Sequence, residues 1–153
     1  MNARHTIEDL SEALRVALDG HRCVTAWLGY GNVLFLGFGP DVLSERASDG
    51  SRTIPPYEIQ SSLADWNIGG AGGGDDDRQT ARSTIETLIG TAISGWSLSS
   101  DGSLRIDFSN GLTLELAPSY DAESSLDQWW LSEPATTYIG IGGNGQVVAG
   151  DTR

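Results

Sequence analysis

The stretch Leu104 to Leu116, LRIDFSNGLTLEL, admits few folds. Leu104, Ile106 and Phe108 alternate with Arg105 and Asp107, and Leu112, Leu114 and Leu116 alternate with Thr113 and Glu115. Period-2 alternation of this kind marks two half-buried strands, here joined around Asn110-Gly111. A two-residue Asn110-Gly111 loop would set Phe108 opposite Thr113 and mix the faces. A three-residue loop, Ser109-Asn110-Gly111, sets Phe108 opposite Leu112 and Leu104 opposite Leu116, so one face stays apolar. A slip of one residue would turn a whole strand over. The three-residue loop is therefore expected, as a type I turn closed by a left-handed residue, which Gly111 supplies without steric cost. The same register places Arg105 across from Glu115, a pair worth about 0.2–1 kcal/mol.

Elsewhere the apolar period changes to that of a helix. Ile7, Leu10, Leu14, Ala17 and Leu18 share one helical face. The pattern predicts a helix over Thr6–Asp19, capped by Thr6, with Glu8 and Asp9 in its first turn and Gly20 just past its end. Residues 23–39, CVTAWLGYGNVLFLGFG, read as two strands joined near Gly31-Asn32. Residues 40–56 are a polar excursion ending at Pro55-Pro56. Tyr57–Gln60 and the stretch SSLADWNI supply two further strands. A second helix is expected over Thr80–Ile89, ending at Gly90. Strands follow at Ile93–Leu98, in the hairpin, at Trp129–Leu131 and at Thr137–Ile141. The tail GGNGQVVAGDTR holds a turn and a last short strand.

The two halves resemble each other in order. Val24-Thr-Ala-Trp27 matches Ile93-Ser-Gly-Trp96, Leu34 to Phe38 matches Leu104 to Phe108, and SSLADWNI (61–68) matches SSLDQWWL (124–131). The pattern predicts one domain over 1–153, built of two repeats at about 5–68 and 80–142. Residues 69–77, GGAGGGDDD, are low in complexity and form the joining linker. The expected class is α+β: two helix-plus-antiparallel-strand repeats related by a pseudo-twofold axis. Trp27, Trp66, Trp96 and Trp129 fall in matched positions and are assigned to the core. Trp130 has no counterpart, because Asn67 takes its place, and in a strand it must point away from Trp129.

Charge narrows the function classes. The chain has 21 acids and nine bases, a net charge of −12, and every base is an arginine. The missing lysine removes Schiff-base chemistry and the P-loop lysine. The acidity argues against a nucleic-acid binder, which needs a basic face, and fits a basic protein partner or simply solubility. The single cysteine, Cys23, permits no intramolecular disulfide, and MNARHTIEDLSE lacks the apolar run of a signal peptide; a reducing cytoplasm is expected. No stretch approaches the ~20 apolar residues of a membrane helix.

Motifs for chemistry are weak. Gly140-x-Gly142-x-x-Gly145 fits a dinucleotide fingerprint in form, but no helix-length segment follows it. Asp75, Asp76 and Asp77 could hold a cation with oxygen ligands, although a linker that caps the second helix explains them better. His5 and His21 stand in no ligand spacing with Cys23, and there is no Gly-x-Ser-x-Gly elbow. The sequence calls for no cofactor. The remaining cluster joins Tyr120, Asp121, Glu123, Asp127 and Glu133 to the unmatched Trp130, with no base between. Charge there would speed encounter with an arginine- or lysine-rich partner, and the aromatic would supply affinity.

In size, acidity and this acid-plus-Trp surface, the chain resembles small bacterial immunity proteins. That resemblance implies a non-enzymatic module that neutralises a basic toxin by binding it. Two alternatives stand beside it. One is a small hydrolase with paired carboxylates in a cleft between the repeats. The other is a structural or regulatory subunit that assembles through its sheet edges.

Overall fold

A computed structural model describes residues 6–29, 33–39, 55–61, 65–69, 71–72, 78–118, 128–134, 137–143 and 145–151. In chain order the elements are α1 (Ile7–Leu18), β1 (Arg22–Leu28), β2 (Leu34–Gly39), β3 (Tyr57–Ser61), β4 (Asp65–Ile68) and β5 (Ala71–Gly72). Then come α2 (Arg78–Glu86), β6 (Ile93–Leu98), β7 (Leu104–Phe108), β8 (Thr113–Ala117), β9 (Trp129–Ser132), β10 (Thr137–Ile141) and β11 (Val147–Asp151).

Helix α1 starts as its sequence predicts. The Thr6 hydroxyl accepts from the Asp9 amide at 3.2 Å, and the Asp9 carboxylate accepts from the Thr6 amide at 2.8 Å. This reciprocal pair satisfies two otherwise orphan donors. Leu10, Leu14, Ala17 and Leu18 are buried. Helix α2 covers Arg78–Glu86 and gives way to turns before Gly90, so it starts earlier and ends sooner than the expected Thr80–Ile89.

The anchor hairpin has the three-residue loop. Leu104 faces Leu116 and Arg105 faces Glu115. The Phe108 amide donates to Leu112 O at 2.9 Å, and Gly111 sits at φ 90°. The charge partner differs from expectation: Arg105 Nε donates to Asp107 Oδ1 at 3.2 Å on its own strand. A guanidinium on an exposed strand reaches its i+2 neighbour on the same face as readily as the residue opposite.

The expected α+β class of two helix-plus-antiparallel-strand repeats is wrong. Among the described residues, eleven strands and two helices form a mainly β fold with two antiparallel sheets. The first sheet runs β1-β2-β3-β9-β10-β11 and the second β5-β4-β8-β7-β6. Strand β4 leaves the first half to pair with β8, with Trp66 opposite Leu116. Strand β9 leaves the second half to pair with β3, with Trp129 opposite Ser61. Neither half therefore closes a sheet of its own. Alternation reveals that a segment is a strand and which face it buries, but not which strand it joins. Ala71–Gly72, placed in the expected linker, pairs with β4.

The sheets also touch at their edges. Arg22 and Ala92 form an antiparallel bridge. On either side, the Cys23 amide donates to Thr91 O at 2.8 Å and the Ile93 amide to His21 O at 3.1 Å. Both β1 and β6 are bulged here, between Cys23 and Thr25 and between Ile93 and Gly95. One apolar cluster joins both helices and the inner faces of both sheets, from Leu10 and Leu14 through Phe38 and Ile85 to Leu114 and Trp129. No described helix is long and apolar enough to cross a membrane.

Candidate functional site

The outer faces of the two sheets differ in chemistry. On the second sheet, Ser97, Arg105, Glu115 and Asn67 lie in register across β6, β7, β8 and β4. All four are exposed and polar, as a wet face should be. On the first sheet the corresponding row reads Trp27, Phe35, Gln60, Trp130, Gly140 and Val148, one residue from each of the six strands. Every member except Gly140 is half-buried. A neighbouring row reads Gly37, Glu58, Ser132, Tyr138 and Gly150.

This face is shaped by glycines under rings. Trp27 and Phe35 stack with centroids 3.9 Å apart and planes within 3°. A Cβ on Gly29 would lie 2.6 Å from the Phe35 ring, and one on Gly150 would lie 3.0–3.2 Å from Tyr138. At Gly140 a Cβ would collide with the Trp129 carbonyl oxygen and lie 2.5 Å from Trp130 Cα. Rings thus lie where side chains are missing. The Thr25 hydroxyl and Pro55 converge over Gly37, and the buried Thr25 Oγ1 has no hydrogen-bond partner.

Of the sequence-derived site residues, Trp130 lies on this face, in β9 between β3 and β10. Its strand neighbour Trp129 is fully buried. Glu133 follows β9; its amide donates to Thr137 O at 2.8 Å, and Thr137 Oγ1 donates to Glu133 Oε1 at 3.4 Å. Tyr120, Asp121, Glu123 and Asp127 lie outside the described residues, as do Asp75, Asp76 and Asp77.

Sequence reasoning missed Trp27, Phe35 and Tyr138. Phe35 carried a signal: it falls between Leu34 and Leu36, out of phase with the buried residues. Trp27 was misplaced because its match to Trp96 is one residue out. Counted from the bulges, Trp96 stands at the position of Ala26: Ala26 faces Leu36, and Trp96 faces Ile106. Trp96 accordingly turns inward, packs against the core and donates to Asp19 Oδ1 at 2.8 Å. Trp27 turns outward.

Chemistry has little to work with among the described residues. Ser99, Ser103, Arg105 and Glu115 help to line an open depression of about 190 Å³ on the second sheet. That is below the ~300–1,000 Å³ of ordinary ligand sites, and it contains one carboxylate. Asp101 is held below the usual carboxylate range, first by the Ser103 amide at 2.9 Å. Burial pushes the Cys23 thiol up to about 12, opposed in part by its hydrogen bond to Thr25 O. A thiol so protonated is a poor nucleophile. No group of three or more His, Cys, Asp or Glu able to hold a metal ion occurs among the described residues.

No protein-family model, no curated protein and no solved structure matches the chain.

Proposed function

We propose that the protein is a cytoplasmic, non-enzymatic binding module that engages a basic protein through the outer face of its first sheet, in the manner of an immunity protein neutralising a toxin. One observation supports this reading: four adjacent strands align Trp27, Phe35 and Trp130 with Gln60 on a half-exposed face, while the corresponding row of the second sheet is polar. Partly exposed aromatics with polar groups beside them are the usual anchors of protein interfaces. Glu58 lies in the neighbouring row. In sequence, Asp121, Glu123 and Asp127 lead directly into β9. The net charge of −12 favours a partner rich in arginine or lysine and speeds its encounter.

The test is an affinity pull-down from the native host's lysate at low and moderate salt, with wild type and two variants. A stoichiometric basic partner, released by salt, is expected. The triple variant D121R/E123R/D127R should slow association and flatten its salt dependence, and W130A should speed dissociation. Undiminished capture by both variants would exclude this face.

A further inference from the structure

The four sheet edges are not protected alike. Strands β1 and β6 engage each other at their first residues. Cys23 is bonded to Gly90 and Thr91, Ile93 is bonded to His21, and both strands are bulged beside these contacts. Strand β5 has only two residues. Short strands, bulges and covered backbone are the devices that stop edges from pairing. Strand β11 shows none of them among the described residues. It has five residues, unbroken register with β10, no proline, and no charge before Asp151.

The ladder fixes which of its backbone groups are open. The Gly142 amide donates to Gln146 O at 2.8 Å, which makes 142/146 a bonded pair. Directly opposed residues alternate between bonded and non-bonded pairs. Val148 and Gly150 therefore bond to β10, while the amides and carbonyls of Val147, Ala149 and Asp151 point off the sheet. The other side of β10 agrees. The Glu133 amide donates to Thr137 O at 2.8 Å, so Thr137, Ile139 and Ile141 bond toward β9.

We infer that this edge pairs antiparallel with β11 of a second copy, about a twofold axis through Ala149. That axis sets Ala149 opposite its own copy and Val147 opposite Asp151, so every outward amide meets a carbonyl. The two Asp151 residues never face each other. The edge carries one charge, Asp151 at its end, and so offers a basic partner little to read, whereas an isologous contact needs only self-complementarity. Two chains of −12 repel, so association should tighten as added salt screens them.

Sedimentation equilibrium of the full chain tests this from about 1 µM to about 1 mM, in low and in high salt. A monomer–dimer equilibrium that shifts toward dimer in high salt is expected. A149P removes an outward amide that β10 does not use, and should abolish the dimer. V148E leaves the ladder intact and adds like charges beside the axis; it should weaken the dimer most in low salt. Circular dichroism of both variants checks that they are folded. A wild-type monomer at every concentration and salt would overturn the inference, including the case where the edge serves only a strand of another protein. A dimer that persists in folded V148E with unchanged affinity would also overturn it, by locating the contact elsewhere.

Discussion

The indole N–H of Trp129 donates to the carbonyl of Gly102 at 2.9 Å, entirely within the core. Trp129 belongs to the first sheet, and Gly102 lies in the turn between β6 and β7 of the second. One side chain thus fastens the sheets while it fills the space between them. Trp129→Phe keeps most of the apolar area but leaves a buried carbonyl without its donor. A loss of about 1–3 kcal/mol is expected for such an orphaned group. Urea unfolding should show a lower midpoint at unchanged slope; a midpoint within error of wild type would mean that the bond contributes nothing.

Two glycines in strands should respond in opposite ways to alanine. At Gly140 the new methyl meets main chain, the Trp129 carbonyl and Trp130 Cα, which cannot swing aside. Gly140→Ala should cost about 1–3 kcal/mol or more, as overpacking does. At Gly95 the nearest atom is Asp107 Oδ2, at 3.5 Å. Gly95→Ala should be neutral or stabilising by about 0.4–1 kcal/mol, through the lower entropy of the unfolded chain. Equal melting temperatures for the two variants would contradict the close approach of β9 and β10.

Cys23 should be chemically silent in the native state. Its folded pKa is about 12, against an ordinary value of 9.0. The protonated thiol is the form favoured by folding, so its contribution to stability is complete below pH 9 and declines as pH rises toward 12. Labelling with a disulfide reagent at pH 8 should be slow, and urea should accelerate it in step with unfolding. Rapid labelling without denaturant would show that the thiol is accessible.

Thr6→Ala should remove the acceptor for the Asp9 amide and break the reciprocal cap of α1. A loss of about 1 kcal/mol is typical of such a change. Thr6→Ser should retain nearly all the stability. The comparison isolates the hydroxyl from the methyl, and a serine variant as weak as alanine would assign the effect to packing.

The hairpin register was legible because one apolar face and one positive-φ glycine leave a single solution. The cap of α1 was legible for a similar reason: both of its bonds are made within four residues. The exchange of β4 and β9 was not, because Asp65–Ile68 and Trp129–Ser132 alternate in the same way whichever sheet receives them. The bulge beside Val24 hid the outward turn of Trp27, since an extra residue shifts every later side chain relative to its match. Of the candidate site, Trp130 could be read from its lack of a counterpart. Trp27, Phe35 and Tyr138, which share its face, come from three other strands, and only the pairing order puts them there.

That order also governs how the chain can mature. Strand β9 lies between β3 and β10, so the middle of the first sheet is the part made late. A ribosome has finished both helices and eight strands before Trp129 appears. Until then the β3 backbone has no neighbour on that side, and β4 must wait for β8. Contacts this distant along the chain are formed slowly. A nascent chain stalled before residue 129 would hold an open β3 edge, and a chaperone that binds extended segments would find its substrate there.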